Sequence, residues 1–210
     1  MSARIAILDY GMGNLRSAEK ALEHVGVTAT ISRDPETVRA ADGVILPGVG
    51  AMPRAMERIG EYGLDELIAE RRDSGVPILG ICLGLQLLFD STEELGGSGG
   101  LGLLEGPVSG LEAEGLKVPH IGWSPVRWDH DSRLTEGIPS ETPFYFVHSF
   151  APRPGAGNLL GSAEYGSRFA CAAQRDNVYG VQFHPEKSSA AGLRLLSNFA
   201  GICVKSPAAA

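Results

Sequence analysis

Residues 77–89 read PILGICLGLQLLF, an apolar run that holds one thiol between two glycines. The segment up to Cys82 suits a buried strand and residues 83–89 suit a helix, so the thiol falls where strand turns into helix. Gly80-Ile81-Cys82-Leu83-Gly84 has the G-x-nucleophile-x-G form of a nucleophile elbow. Such a turn is tight, and glycine on both sides lets the backbone pass close to its neighbours. The following helix aims its N-terminal N–H groups at the sulfur, which favours thiolate over thiol. A buried structural cysteine is the competing explanation, because cysteine is among the most buried residue types.

Toward the N-terminus, β-branched runs at 5–8, 27–31 and 44–46 alternate with NLRSAEKALEHVG and DPETVRAADG. Leu15, Ala18, Leu22 and Val25 recur at helical spacing, with Asn14 placed to cap the start and Gly26 to close the end. Asp34-Pro35 supplies a second cap with proline at the first helical position. This βαβαβ pattern predicts a parallel sheet. A helix over 64–73 leads through SGVP into the cysteine strand, so Cys82 sits at the carboxyl end of a strand, where open α/β sheets place their sites.

Beyond the elbow, ELGGSGGLGLLEG at 94–106 predicts a flexible connector. The second half changes character: PVSGL, PFYFVHSF, NLLGSAEY, FACAAQRDN and VYGVQF are short strand-like runs broken by turn residues. Asp176-Asn177 between two of them suits a hairpin, so partly antiparallel structure is expected before a last helix over 190–200. No internal repeat or linker divides the chain. One domain over 1–204 is expected, with 205–210 as a disordered tail.

The 210 residues, 43% apolar and 20% charged, are enough for one full core. A net charge of -7 without a Lys/Arg run argues against nucleic acid as a partner. The apolar run in MSARIAILDY breaks at Asp9, too short for a signal h-region or a membrane span. Cys82, Cys171 and Cys203 lack metal-like spacing, so neither a zinc site nor a disulfide framework is expected, and a reducing cytosol fits.

A catalytic cysteine needs a histidine close in space and a third group to orient it. VQFHPEKS at 181–188 supplies both: Pro185 biases His184 toward extended backbone, and Glu186, two residues on, is expected on the same side as the imidazole. The N–H of Leu83 and the PGVG loop at 47–50 are the two candidates for an oxyanion hole. DYGMGN at 9–14 also joins a strand to a helix, but Arg16 stands where a dinucleotide fingerprint needs its third glycine. That loop is left to contact a ligand or a partner.

PGVG, GICLGLQLLF and FHPEKS, in this order, resemble the class I glutamine amidotransferases, and the resemblance covers nearly the whole chain. ILDYGMGNLRS, PHIGW and YFVHSF further resemble the glutaminase subunits of imidazole glycerol phosphate synthases. The resemblance implies an α/β three-layer sandwich with a mostly parallel central sheet and added antiparallel strands. It implies that Cys82 attacks the side-chain amide of L-glutamine, that His184 moves the proton and that Glu186 orients His184. Leu83, Gly48, Val49 and Gly50 would form the oxyanion hole, and Gln86, Glu94, Ser149 and Phe150 would bind the substrate. Trp123, Tyr145, Lys187 and Asn14 match positions facing a (β/α)8-barrel cyclase subunit, to which ammonia would pass. No cofactor or metal is implied. Leu85 and Phe150 stand where methionine and tyrosine are expected. Two readings from other classes are a stand-alone cysteine hydrolase or thiol sensor on a similar sheet, and a non-catalytic binding module. Glu186 beside His184 speaks against the sensor, and the intact Cys82, His184 and Glu186 against the module.

Overall fold

A computed structural model describes residues 2–155 and 157–205. The first half runs β1 (Arg4–Leu8), α1 (Leu15–His24), β2 (Thr28–Ser32), α2 (Pro35–Arg39), β3 (Gly43–Gly48), α3 (Met52–Glu61), α4 (Leu64–Asp73), β4 (Ile78–Cys82) and α5 (Leu83–Leu87). Two short strands, β5 (Ser91–Thr92) and β6 (Ser98–Gly99), precede β7 (Pro107–Gly110), β8 (His120–Trp128), β9 (Thr142–His148) and β10 (Phe150–Pro152). The chain finishes with β11 (Leu159–Tyr165), β12 (Ser167–Arg175), β13 (Val178–Val181) and α6 (Ser189–Lys205).

The main sheet has the order β2-β1-β3-β4-β13-β12-β11-β8-β9. Strands β2, β1, β3, β4 and β13 are parallel, and β12, β11, β8 and β9 extend them by antiparallel pairing. Alternate side chains of each central strand feed opposite layers, as the period of two requires. Ile5, Ile7, Ile45, Leu79 and Ile81 pack with α1 and α6, whereas Ala6, Leu8, Val44, Leu46 and Ile78 pack with α3, α4 and α5. The result is the three-layer α/β sandwich. A second sheet, β10-β7-β5-β6, flanks the α3 side through Val108.

Local signals are met unevenly. Asp34 caps α2, its carboxylate accepting from the Thr37 N–H at 2.9 Å behind Pro35 at the first turn. Asn14 stands at the α1 start, but its side chain makes no cap bond; only its carbonyl accepts, from Ser17 and Ala18. Gly26, at φ +79°, ends the helix in the left-handed conformation that a side chain disfavours. Asp176-Asn177 forms the two-residue link between antiparallel β12 and β13. The 94–106 run is more than a connector: β6 pairs with β5, and the Gly100, Leu101 and Leu103 amides bond back to Asp90, Leu87 and Leu88. Helix α5 stops at Leu87, shorter than expected, while α6 runs from Ser189 through Lys205, longer at both ends. The rest of the expected tail, 206–210, lies outside the described residues. Among the described residues, no helix is long and apolar enough to cross a membrane.

Candidate active site

Cys82 closes β4 at φ 55° and ψ −110°, a conformation that L side chains rarely adopt. The flanking glycines make it sterically possible. A Cβ at Gly80 would strike the Gly84 carbonyl, and one at Gly84 would strike the Leu46 carbonyl of β3. The α5 backbone therefore lies directly on β3 and β4, and the thiol is left at the strand end. Its Sγ donates to the Val147 carbonyl at 3.7 Å and receives the Gln182 side-chain amide at 3.8 Å.

Gly48, last in β3, stands opposite Cys82 in the strand register. The PGVG loop that follows is held from beneath by buried Tyr10, whose hydroxyl donates to the Pro47 carbonyl at 2.7 Å. Burial first, and the nearby Cys82 charge second, push the Tyr10 hydroxyl well above its ordinary pKa, so it remains a donor. Gly48 has no room for a Cβ beside that hydroxyl. Val49 and Gly50 reach the cleft, and the Leu83 N–H, first in α5, has no acceptor within its own helix.

His184 follows β13, the strand beside β4, so His184 and Cys82 leave neighbouring parallel strands at the same end. Its Nδ1 lies 2.8 Å from Glu186 Oε1. The extended backbone expected to align the two ends at His184; Pro185–Lys187 form a 3-10 turn that folds the carboxylate back to the ring. Ser188 braces the turn, donating to the His184 carbonyl at 2.6 Å while accepting the Tyr145 N–H at 3.0 Å. Burial alone pulls the imidazolium pKa down, but the hydrogen bonds and charges of Cys82 and Glu186 outweigh it and raise it to about 9. With Nδ1–H directed at Glu186, Nε2 is the atom left to exchange a proton with Cys82.

The cleft over these groups encloses about 270 Å³. Of the residues anticipated from sequence, Cys82, Leu83, Gln86, Glu94, Ser149, Phe150, His184 and Lys187 line it; Glu186 sits behind His184. Pro119, Val147 and His148 also line it and were not singled out in sequence. Gln86 is buried, and its Nε2 donates to the Phe150 carbonyl at 2.9 Å and to Gln182 Oε1 at 3.1 Å. One oxygen of Glu94 accepts the first N–H of α3, from Met52, at 2.8 Å. The Phe150 carbonyl also accepts from His148 Nδ1 at 2.9 Å, which leaves His148 Nε2 to accept from His120 Nδ1 at 3.1 Å and His120 Nε2 to accept from Ser124 at 3.0 Å. Burial, with the His120 and His184 charges, lowers His148 to about 4 against the opposing Phe150 bond, so the His148 ring is neutral at pH 7.

Beside the cleft Trp123 is 51% exposed, so its ring is not core packing. It meets Tyr145 edge-on at 5.8 Å, and Lys187 Nζ stands 6.0 Å over the Tyr145 ring. Exposed Asn14 lies on the DYGMGN loop, whose Gly13 abuts Gly48.

The chain belongs to the glutamine amidotransferase class-I family, whose pattern it matches over residues 6–202. Among its relatives are proteins named imidazole glycerol phosphate synthase subunit HisH. That of Moorella thermoacetica is 53% identical over 93% of this chain and 93% of its own length, and that of Methanosarcina barkeri is 50% identical over 95% and 99%. In fold, the chain is similar to the solved PurLQS of Thermotoga maritima, with a TM-score of 0.76 at 20% identity over 96% of this chain and 99% of that one. A solved glutamine amidotransferase gives a TM-score of 0.74 at 23% identity, covering 94% of this chain and 98% of that one.

Proposed function

We propose that this chain is the glutaminase subunit of an imidazole glycerol phosphate synthase. It hydrolyses L-glutamine to glutamate and ammonia, and a (β/α)8-barrel cyclase subunit consumes the ammonia to make imidazole glycerol phosphate and an aminoimidazole carboxamide ribonucleotide in histidine biosynthesis. The observation that carries the chemistry is that Cys82 and His184 share one cleft while Glu186 holds His184 Nδ1 from behind. The names of the relatives support the choice of pathway.

In the reaction, His184 Nε2 takes the Cys82 proton and Sγ attacks the δ-carbon of glutamine. The oxyanion that forms is held by the Leu83 N–H and the Gly48-Val49-Gly50 backbone. Collapse breaks the C–N bond, and His184 returns the proton to the departing amine, leaving a γ-glutamyl thioester and ammonia. His184 then deprotonates water, which attacks the thioester and releases glutamate and the thiol. Glu186 holds the ring and balances its charge in both halves. Glu94 accepts the substrate ammonium, while Gln86 and the Ser149-Phe150 backbone complete the cradle.

Trp123, Tyr145, Lys187 and Asn14 form the surface for the cyclase, around the mouth from which ammonia leaves. A partner follows from the chemistry, since ammonia released to neutral water becomes ammonium and loses its free lone pair. A cytoplasmic heterodimer is the corresponding state. The test is ammonia release from glutamine by the chain alone and with a cyclase barrel carrying its nucleotide ligand. Strong stimulation by the liganded barrel is expected. High activity unmoved by the barrel would point to a different amidotransferase, and no release in either condition would overturn the glutaminase reading.

A further inference from the structure

Gln182 lies two residues before His184, is fully buried and has no role in the chemistry above. Its amide orientation follows by elimination. The Phe150 carbonyl can only accept, so Gln86 must turn its NH2 toward it at 2.9 Å. The same Nε2 lies 3.1 Å from the Gln182 side chain, which must therefore present its oxygen to Gln86. What remains for Cys82 is the Gln182 NH2, 3.8 Å from Sγ.

The sulfur thus sits between two groups of opposite preference. The Val147 carbonyl, 3.7 Å away, accepts from a thiol and repels a thiolate. The Gln182 N–H attracts a thiolate and gains little from a thiol. When the Cys82 proton passes to His184 Nε2, the Val147 bond is lost, and the Gln182 N–H stays on the negative sulfur as a second side-chain donor beside the His184 ring. We propose that Gln182 is a catalytic residue whose Nε2–H stabilises the Cys82 thiolate, with Gln86 and the Phe150 carbonyl holding its amide in the donating orientation. The proposal rests on Cys82 being the nucleophile of the proposed glutaminase, and it adds a donor on the reacting atom besides the His184 base.

The test reads the thiol without substrate. The full chain is alkylated with iodoacetamide, and modification of Cys82 is followed by mass spectrometry of its peptide at pH 7 and at pH 10, where thiols ionise without assistance. Gln182→Leu is expected to slow Cys82 alkylation about tenfold at pH 7, the weight of one hydrogen bond to a charged group, and to match the unmodified chain at pH 10. Equal rates at pH 7 would overturn the proposal, and so would an equal loss at both pH values, which marks lost access. If circular dichroism shows that Gln182→Leu does not fold, Gln182→Met, unbranched and close in length, carries the same comparison. Ammonia release is measured separately on the unmodified chain, so a failed glutaminase reading is told apart from a failed Gln182 assignment.

Discussion

Glu186→Gln keeps the shape of the carboxylate and a hydrogen-bond acceptor for His184 while removing its charge. Both side chains are nearly sealed from solvent, at 4% and 5% exposure, so screening is slight. His184 stands at about 9 against 6.5 despite a burial effect in the opposite direction. At about 1.4 kcal/mol per pH unit, that rise is about 3 kcal/mol of preference for the charged ring, shared by Cys82 and Glu186. The Glu186 share is roughly 1–2 kcal/mol. Because the folded pKa lies above the unfolded one, this stabilisation is fully present below pH 6.5 and is lost as pH rises through about 9. Urea unfolding of Glu186→Gln is therefore expected to show a loss of roughly 1–2 kcal/mol at pH 6 and little loss at pH 10. In NMR the His184 midpoint should fall to about 8, and kcat/KM for glutamine should drop about twentyfold, the same energy expressed in the transition state. Equal destabilisation at both pH values, or a His184 midpoint that stays near 9, would refute the reasoning.

Gly84→Ala drives a Cβ into the Leu46 carbonyl, backbone against backbone, and is expected to cost about 3 kcal/mol or more. Calorimetry should show Tm lower by roughly 6–12 °C, and a drop under about 2 °C would mean that α5 can lift off β3 freely. Cys82→Gly removes the proposed nucleophile and also a side chain at φ 55°, so ammonia release should vanish while stability rises by about 1 kcal/mol. A lower Tm in that variant would show that the sulfur contacts outweigh the backbone strain. Trp123→Ala, at an exposed position, should leave Tm nearly unchanged but weaken association with a cyclase barrel about thirtyfold, the weight of an aromatic anchor worth about 2 kcal/mol. Isothermal titration that finds equal affinity would remove Trp123 from the interface.

What was legible in the sequence is mostly short-range. The Gly80 and Gly84 spacing announces the elbow because the steric demand lies within five residues, and Asp34-Pro35 announces a helix start for the same reason. Helix α3 was also legible, since Met52, Ala55 and Ile59 recur at helical spacing with Pro53 in the first turn. Glu186 meets His184 as anticipated but through a 3-10 turn, because Pro185 starts a helical turn as readily as it extends the residue before it. The place of β13 between β4 and β12 is a long-range choice that no local pattern encodes. Gln182, His120 and His148 are silent in the sequence for a related reason: their meaning lies in partners from distant segments, Cys82 and Gln86 for the first and the two histidines for each other. Parity alone hinted at Gln182, which an extended strand puts on the same side as His184.

The position of β13 also sets a timetable. Ribosomes release the chain from its N-terminus at about 5–20 residues per second, and Gln182 emerges one hundred residues after Cys82. For about 5–20 seconds a nascent chain has made its thiol without the segment that pairs with β4 and carries Gln182 and His184 to it. The insertion that closes the β4 edge is made by the same few residues that deliver Gln182 and His184. Closing of the β4 edge and delivery of Gln182 and His184 to the sulfur are thus one event, and a chain arrested before Val178 is expected to be both sticky and without ammonia release.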